Sequence, residues 1–154
     1  MIDLYDELRL IVTKLQEKEV SYALCGGLAM AVFSIPRATI DIDLLIPRES
    51  LYSVIKIGES LGYVCHKKVM TFRKGDIQIH RMTKTDPDSE DILCLDLLIT
   101  TEILRDIWIS RQAVEWEHGL LSVVSRQGLI AMKSLRGTGR DKDDIALLES
   151  NMDE

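Results

Sequence analysis

Asp41 and Asp43 lie two residues apart in the run Ile40-Asp41-Ile42-Asp43-Leu44, and thirteen residues separate them from the pair Gly26-Gly27. In a strand, residues i and i+2 project from one face about 7 Å apart. Two carboxylates held so close repel each other and call for a cation. Mg²⁺ is the expected ion, with Mn²⁺ as the alternative, because it takes hard oxygen ligands and bridges carboxylates to substrate phosphates. A third acid, Asp96, sits within Leu93-Cys94-Leu95-Asp96-Leu97-Leu98-Ile99, a run that is apolar on both faces. An ionised carboxylate there is costly unless it is metal-bound, hydrogen-bonded or paired. Asp96 is therefore a third metal ligand, or else a carboxylate that sits at a strand end or pairs with an arginine.

Gly26 and Gly27 lack Cβ atoms, so their backbone amides can approach phosphate oxygens; taken alone, the pair reads as an ordinary strand-to-helix turn, and it gains meaning only from the Asp-x-Asp strand downstream. The segment from Arg126 to Lys142 holds five basic residues, Arg126, Lys133, Arg136, Arg140 and Lys142, against one acid, Asp141. Lys133, set among Leu129, Ile130, Met132 and Leu135, can pack its stem and extend its ammonium into a cleft. It is either a counter-charge for a triphosphate or part of a solvated helix face. Arg140 and Asp141 can pair with each other or with the last helix. Arg37 precedes the acidic strand, to hold a phosphate or to offset the aspartates. His66, His80 and His118 have no ligand spacing, and no Walker-type loop or nucleophile–histidine arrangement is legible.

The elements that must position these residues form an α/β pattern. Apolar periodicity predicts a helix over Leu4 to Lys18, then a strand from Val20 to Cys25 and a short helix from Leu28 to Phe33 that stops before Pro36. The acidic strand runs from Thr39 to Ile46, and a helix from Glu49 to Leu61 ends at Gly62. Short strands follow at Tyr63 to His66, Val69 to Phe72 and Ile77 to Arg81, with a turn at Lys74-Gly75-Asp76. Lys84 to Asp91 reads as a loop, Ile92 to Ile99 as a buried strand, and Thr101 to Trp108 as a helix. Two strands near Ala113 to Glu117 and Leu120 to Val124 precede a helix capped by Ser125 and a last helix from Lys142 to Asn151. The expected architecture is a central mixed sheet flanked by helices.

With 154 residues the chain is expected to be one domain, residues 1–154. A net charge of −6 argues against a general nucleic-acid coat or a polybasic membrane binder, without excluding a local basic pocket. Cys25, Cys65 and Cys94 share no metal spacing and read as reduced core thiols. The start is acidic rather than basic and no apolar run is long enough for a membrane span, so a soluble cytoplasmic protein is expected. Trp108 and Trp116, in an aromatic-poor chain, are candidates for an interface with a partner chain or a second copy.

These motifs together resemble the DNA polymerase β-like nucleotidyltransferase superfamily, its small prokaryotic branch, and the nucleotidyltransferase domain of AbiEii-type toxins. The resemblance rests on GG-x13-DID with Pro36-Arg37-Ala38-Thr39 before the strand, on the later strand with a single Asp, and on Arg140-Asp141-x-x-Asp144-Ile145. Gly-Gly stands where the superfamily often has Gly-Ser. The resemblance implies that Gly26 and Gly27 contact the triphosphate and that Asp41, Asp43 and Asp96 hold the metals, Asp96 also acting as a base. It further implies that Lys133 approaches the triphosphate and that Arg140 and Asp141 form the last motif. The implied reaction moves a nucleoside monophosphate from an NTP to a hydroxyl on RNA or tRNA, protein or a small molecule, with a toxin–antitoxin or phage-defence role. Larger relatives carry a further helical domain for the base or acceptor, a surface that a partner chain would supply here. The competing readings are an inactive nucleotide-binding module acting as a toxin or antitoxin partner or nucleotide sensor, a glycosyltransferase using Asp-x-Asp for Mn²⁺, and a structural α/β domain.

Overall fold

Alternating apolar residues build one mixed sheet, and a computed structural model describes it over residues 3–33 and 41–150. Arg37 and the Pro36-to-Thr39 motif lie outside the described residues. The first helix is α1 (Leu4–Glu17), whose Asp3 side chain accepts from the amides of Tyr5 and Asp6 and caps two of its free donors. Then come β1 (Ala23–Cys25), α2 (Gly26–Val32), β2 (Asp41–Ile46), α3 (Leu51–Ser60), β3 (Val64–Cys65), β4 (Met70–Phe72), β5 (Ile77–Thr85) and β6 (Ile92–Ile99). The chain continues through α4 (Arg105–Ile109), β7 (Gln112–Trp116), β8 (Gly119–Val123), α5 (Arg126–Arg136) and α6 (Gly139–Ser150).

The strand order is β3-β5-β6-β2-β1-β8-β7, with β4 also paired to β5. The central pair β2/β6 is parallel, while β1/β2 and β5/β6 are antiparallel. The two faces divide the chemistry. Ile42, Leu44, Ile46, Leu95, Leu97 and Met82 are fully buried and share one face. α1 packs there against β2 and α3, and α3 approaches so closely at Gly58 that an added Cβ would lie 2.8 Å from Met82 Cε. The opposite face carries Asp41, Asp43 and Asp96, and α5 and α6 pack together beside it.

Several boundaries differ from the sequence expectation, two of them for identifiable reasons. β5 continues through Lys84 and Thr85, which pair with Leu93 and Ile92, because the ladder outweighs local polarity. Lys84 is accommodated there by an ion pair of 2.7 Å to Glu7, itself a buried acceptor of the Tyr63 hydroxyl at 3.0 Å. α6 begins at Gly139 rather than Lys142, since Thr138 and Asp141 form a reciprocal capping box: the Asp141 amide donates to Thr138 Oγ1 at 3.1 Å, and the Thr138 amide to Asp141 Oδ2 at 3.1 Å. The glycine-pair helix likewise starts at Gly26 itself, and β1 is shorter than expected. Cys25 is buried, whereas Cys65 and Cys94 are only half-buried, and all three are free thiols. No helix among the described residues is long and apolar enough to cross a membrane.

Candidate active site

The ladder sets four side chains in one row across adjacent strands. Cys25 of β1 pairs with Asp43 of β2, Asp43 with Asp96 of β6, and Asp96 with Arg81 of β5. Paired residues point to the same face, so the row runs thiol, carboxylate, carboxylate, guanidinium. Asp41, two residues before Asp43, stands on that face beside Cys94. These residues line a cavity of about 630 Å³ that also takes in Gly26, Gly27, Lys133, Arg136, Arg140 and Asp141. The glycine pair, the three acids and the basic segment, far apart along the chain, therefore border one space.

Burial and, after it, charge repulsion govern its acidic side. Burial, then the charges of Asp96 and Asp41, push the Asp43 carboxyl from an ordinary 3.8 up to about 7, with Arg136 and Arg81 opposing. Burial and Asp96 also raise Asp41. Gly26 makes this packing possible: its φ of +70° suits glycine, and a Cβ built there would overlap Asp43 Oδ2 and lie 2.8 Å from Asp43 Cγ. The glycine thus abuts the acid as well as opening its own amide.

Asp96 is not a free third acid. Arg81 Nε donates to its Oδ1 at 2.8 Å and Arg81 Nη2 to its Oδ2 at 2.9 Å. Among the described residues, no three Asp, Glu, His or Cys side chains converge closely enough to hold a metal ion as they stand. Asp41 and Asp43 have the hard oxygen donors and the mutual repulsion that suit a divalent cation; Asp96 fits only after it parts from Arg81.

The basic side is also largely committed. The Lys133 ammonium is buried and donates to Asp144 Oδ2 at 2.9 Å, so it lies at the cavity wall rather than on a solvated helix face. Asp141 is fully buried and pairs not with Arg140 but with Arg136, through bonds of 2.8 and 2.6 Å. Burial alone would raise the Asp141 carboxyl, but Arg136 and Thr138 hold it well below the usual carboxylate range. Arg140 is exposed at the rim.

Arg81 is the cavity residue that sequence reasoning did not single out, while Arg136 stands out in the sequence only as one of five bases in its segment. Arg81 had one available signal, an arginine closing an alternating strand. Its partner could not be read without the register. An apolar wall from Met70, Phe72, Ile77 and Ile79, with Leu98, Met132 and Leu135, completes the cavity. Trp108 stacks under Arg111 at 3.9 Å and both tryptophans pack against the core of the same chain, so each has an internal structural role.

No family model and no curated protein sequence matches the chain. Similar solved structures include the lincosamide antibiotic adenylyltransferase LnuA bound to lincomycin, with a TM-score of 0.63 and 18% identity over 96% of this chain and 97% of that one. Another is a putative nucleotidyltransferase from Thermotoga maritima, with a TM-score of 0.62 and 18% identity over 97% and 93% of the two chains. A third is ANT(2")-Ia in complex with adenylyl-2"-tobramycin, with a TM-score of 0.61 and 14% identity over 96% and 88%. At such identity the likeness is one of fold, and the fold is that of the nucleotidyltransferases.

Proposed function

We propose that this protein is a single-domain, Mg²⁺-dependent nucleotidyltransferase that moves a nucleoside monophosphate from an NTP to a hydroxyl acceptor and releases pyrophosphate. The observation that carries this reading is the meeting of Asp41, Asp43 and Asp96 on one sheet face, beside Gly26 and in one cavity with Arg136 and Arg140. Asp41 and Asp43 would hold the cation, with Asp96 as third ligand and as the group that receives the acceptor's proton. A bound divalent cation supplies neutralisation of the phosphates and eases ionisation of the acceptor hydroxyl. Gly26 and Gly27 would let backbone amides approach the triphosphate, and Arg140 and Arg136 would offset its charge, with Lys133 supporting the wall behind them. The acceptor oxygen would bond to the α-phosphorus as the bond to pyrophosphate breaks on the opposite side.

With the triphosphate at the Gly26 end, an acceptor attacking in line would approach from the Asp96 side, over β5 and β4. The exposed Lys67, Lys68, Arg73 and Lys74 lie along that edge beside exposed Phe72, a combination that suits the phosphates and bases of single-stranded RNA. Adenylyltransferases named for antibiotic substrates have the same fold, which supports a small hydroxyl compound as the other acceptor class. The AbiEii-type likeness of GG-x13-DID supports a place in a toxin–antitoxin or phage-defence pair.

The Arg81–Asp96 pair favours a second reading, a nucleotide-binding module without turnover. The four α-labelled NTPs with Mg²⁺, incubated with cellular RNA, protein or small-molecule extract, separate the two. Label transferred to one fraction and lost in Asp43→Asn supports the enzyme and identifies its acceptor. Nucleotide binding without transfer to any fraction supports the binding module.

A further inference from the structure

We propose that Arg81 is a positioning residue that withholds Asp96 from the cation until a substrate phosphate draws its guanidinium away. This rests on the nucleotidyltransferase reading and deepens it. Both oxygens of Asp96 are occupied by the fork of Arg81, at 2.8 and 2.9 Å, and among the described residues its carboxylate receives hydrogen bonds from Arg81 alone. Asp96 is 4% exposed and fixed in a central strand between β2 and β5, so it cannot swing out. The Arg81 side chain is 34% exposed and borders the cavity, so Arg81 is the partner free to move.

The other two cavity ion pairs are built differently. Asp141 also accepts from the amide and hydroxyl of Thr138, so it stays anchored if Arg136 leaves. Lys133 and Asp144 are both buried, with side chains 10% and 2% exposed, so neither is as free to move as Arg81.

A guanidinium fork fits phosphate as well as carboxylate, so Arg81 can exchange one anion for the other. Once it does, Asp96 stands unpaired beside Asp43, a repulsive arrangement that a divalent cation relieves. Phosphate binding and cation binding are thereby coupled, and each must strengthen the other by the same factor. The acid triad is complete only when substrate is present.

The test compares wild type with Arg81→Gln and Arg81→Lys, using Mn²⁺ titration by calorimetry and thermal melting with Mn²⁺ or in EDTA. Arg81→Gln should bind Mn²⁺ alone about tenfold more tightly than wild type, with Arg81→Lys between them. Its melting temperature, lowered in EDTA, should be restored by Mn²⁺, which changes wild type little. Inorganic triphosphate in EDTA should stabilise wild type more than Arg81→Gln. A merely structural ion pair gives equal Mn²⁺ affinity in all three proteins and an equally low Arg81→Gln melting temperature with and without the ion, and either result overturns the proposal. If transfer to an acceptor is observed but wild type binds Mn²⁺ as tightly as Arg81→Gln, the withholding role alone falls. If no variant binds Mn²⁺ and no transfer occurs, the nucleotidyltransferase reading falls with it.

Discussion

At the residue scale, Asp43 and Gly26 form one unit. Gly26→Ala asks a residue with a Cβ to adopt φ +70° and to occupy the space of Asp43 Oδ2. A loss of about 2–4 kcal/mol in denaturant unfolding is expected, from backbone strain plus overpacking. Transfer activity should fall further than that loss of stability explains, because the displaced group is Asp43. Asp43→Asn should behave oppositely in stability. With its carboxyl pushed from 3.8 up to about 7, Asp43 favours the folded state while protonated, and that contribution is lost as pH rises from about 4 through 7. Metal-free Asp43→Asn should therefore melt above wild type at pH 8 and near it at pH 4, while its transfer activity drops at least about 10²-fold.

At the scale of elements, the junction of α5 and α6 is held by charge as much as by apolar contact. Lys133 of α5 and Asp144 of α6 are buried and joined at 2.9 Å. Lys133→Met removes the buried ammonium that the Asp144 carboxylate accepts from and should cost about 3–5 kcal/mol in urea unfolding. The double variant Lys133→Met/Asp144→Leu should recover much of that, since two apolar side chains can replace a buried pair with little net change. A single variant as stable as wild type would show that Lys133 does not depend on Asp144. The α6 start and the β5 extension were illegible for related reasons. Thr138-x-x-Asp141 is a capping box hidden in a glycine-rich stretch, and Lys84 looks like a loop residue until Glu7, far away in sequence, is placed beside it.

At the scale of the whole molecule, the two sides of the cavity titrate in opposite directions. Asp141 is held below its ordinary value, so its contribution is present above about pH 4 and is lost as pH falls through and below that value. Asp43 loses its contribution as pH rises toward 7. On these two groups, metal-free protein should thus be most stable near pH 4 and lose stability from there toward pH 7, and saturating Mg²⁺ or Mn²⁺ should move that maximum upward by neutralising the acidic side. Melting curves across pH with and without the ion check this. A maximum that stays in place when the ion is added would mean that no cation binds at Asp43.

Much of the site is legible from the order of residues along the chain. Asp41 and Asp43 share a face because strand alternation is local, and Asp96 stands out because no apolar strand keeps a carboxylate without a partner. The strand Ile92–Ile99 is likewise evident, since its apolar run is unbroken but for Asp96. Those are properties of neighbours in sequence. Tertiary structure alone decided where each charge is spent: Arg81 on Asp96, Lys133 on Asp144, Arg136 on Asp141. The strand pairing depends on register between β5 and β6, and the helix pairings depend on how α5 and α6 cross. The sequence by itself determined which charges must be compensated, and the packing of non-local elements determined by what.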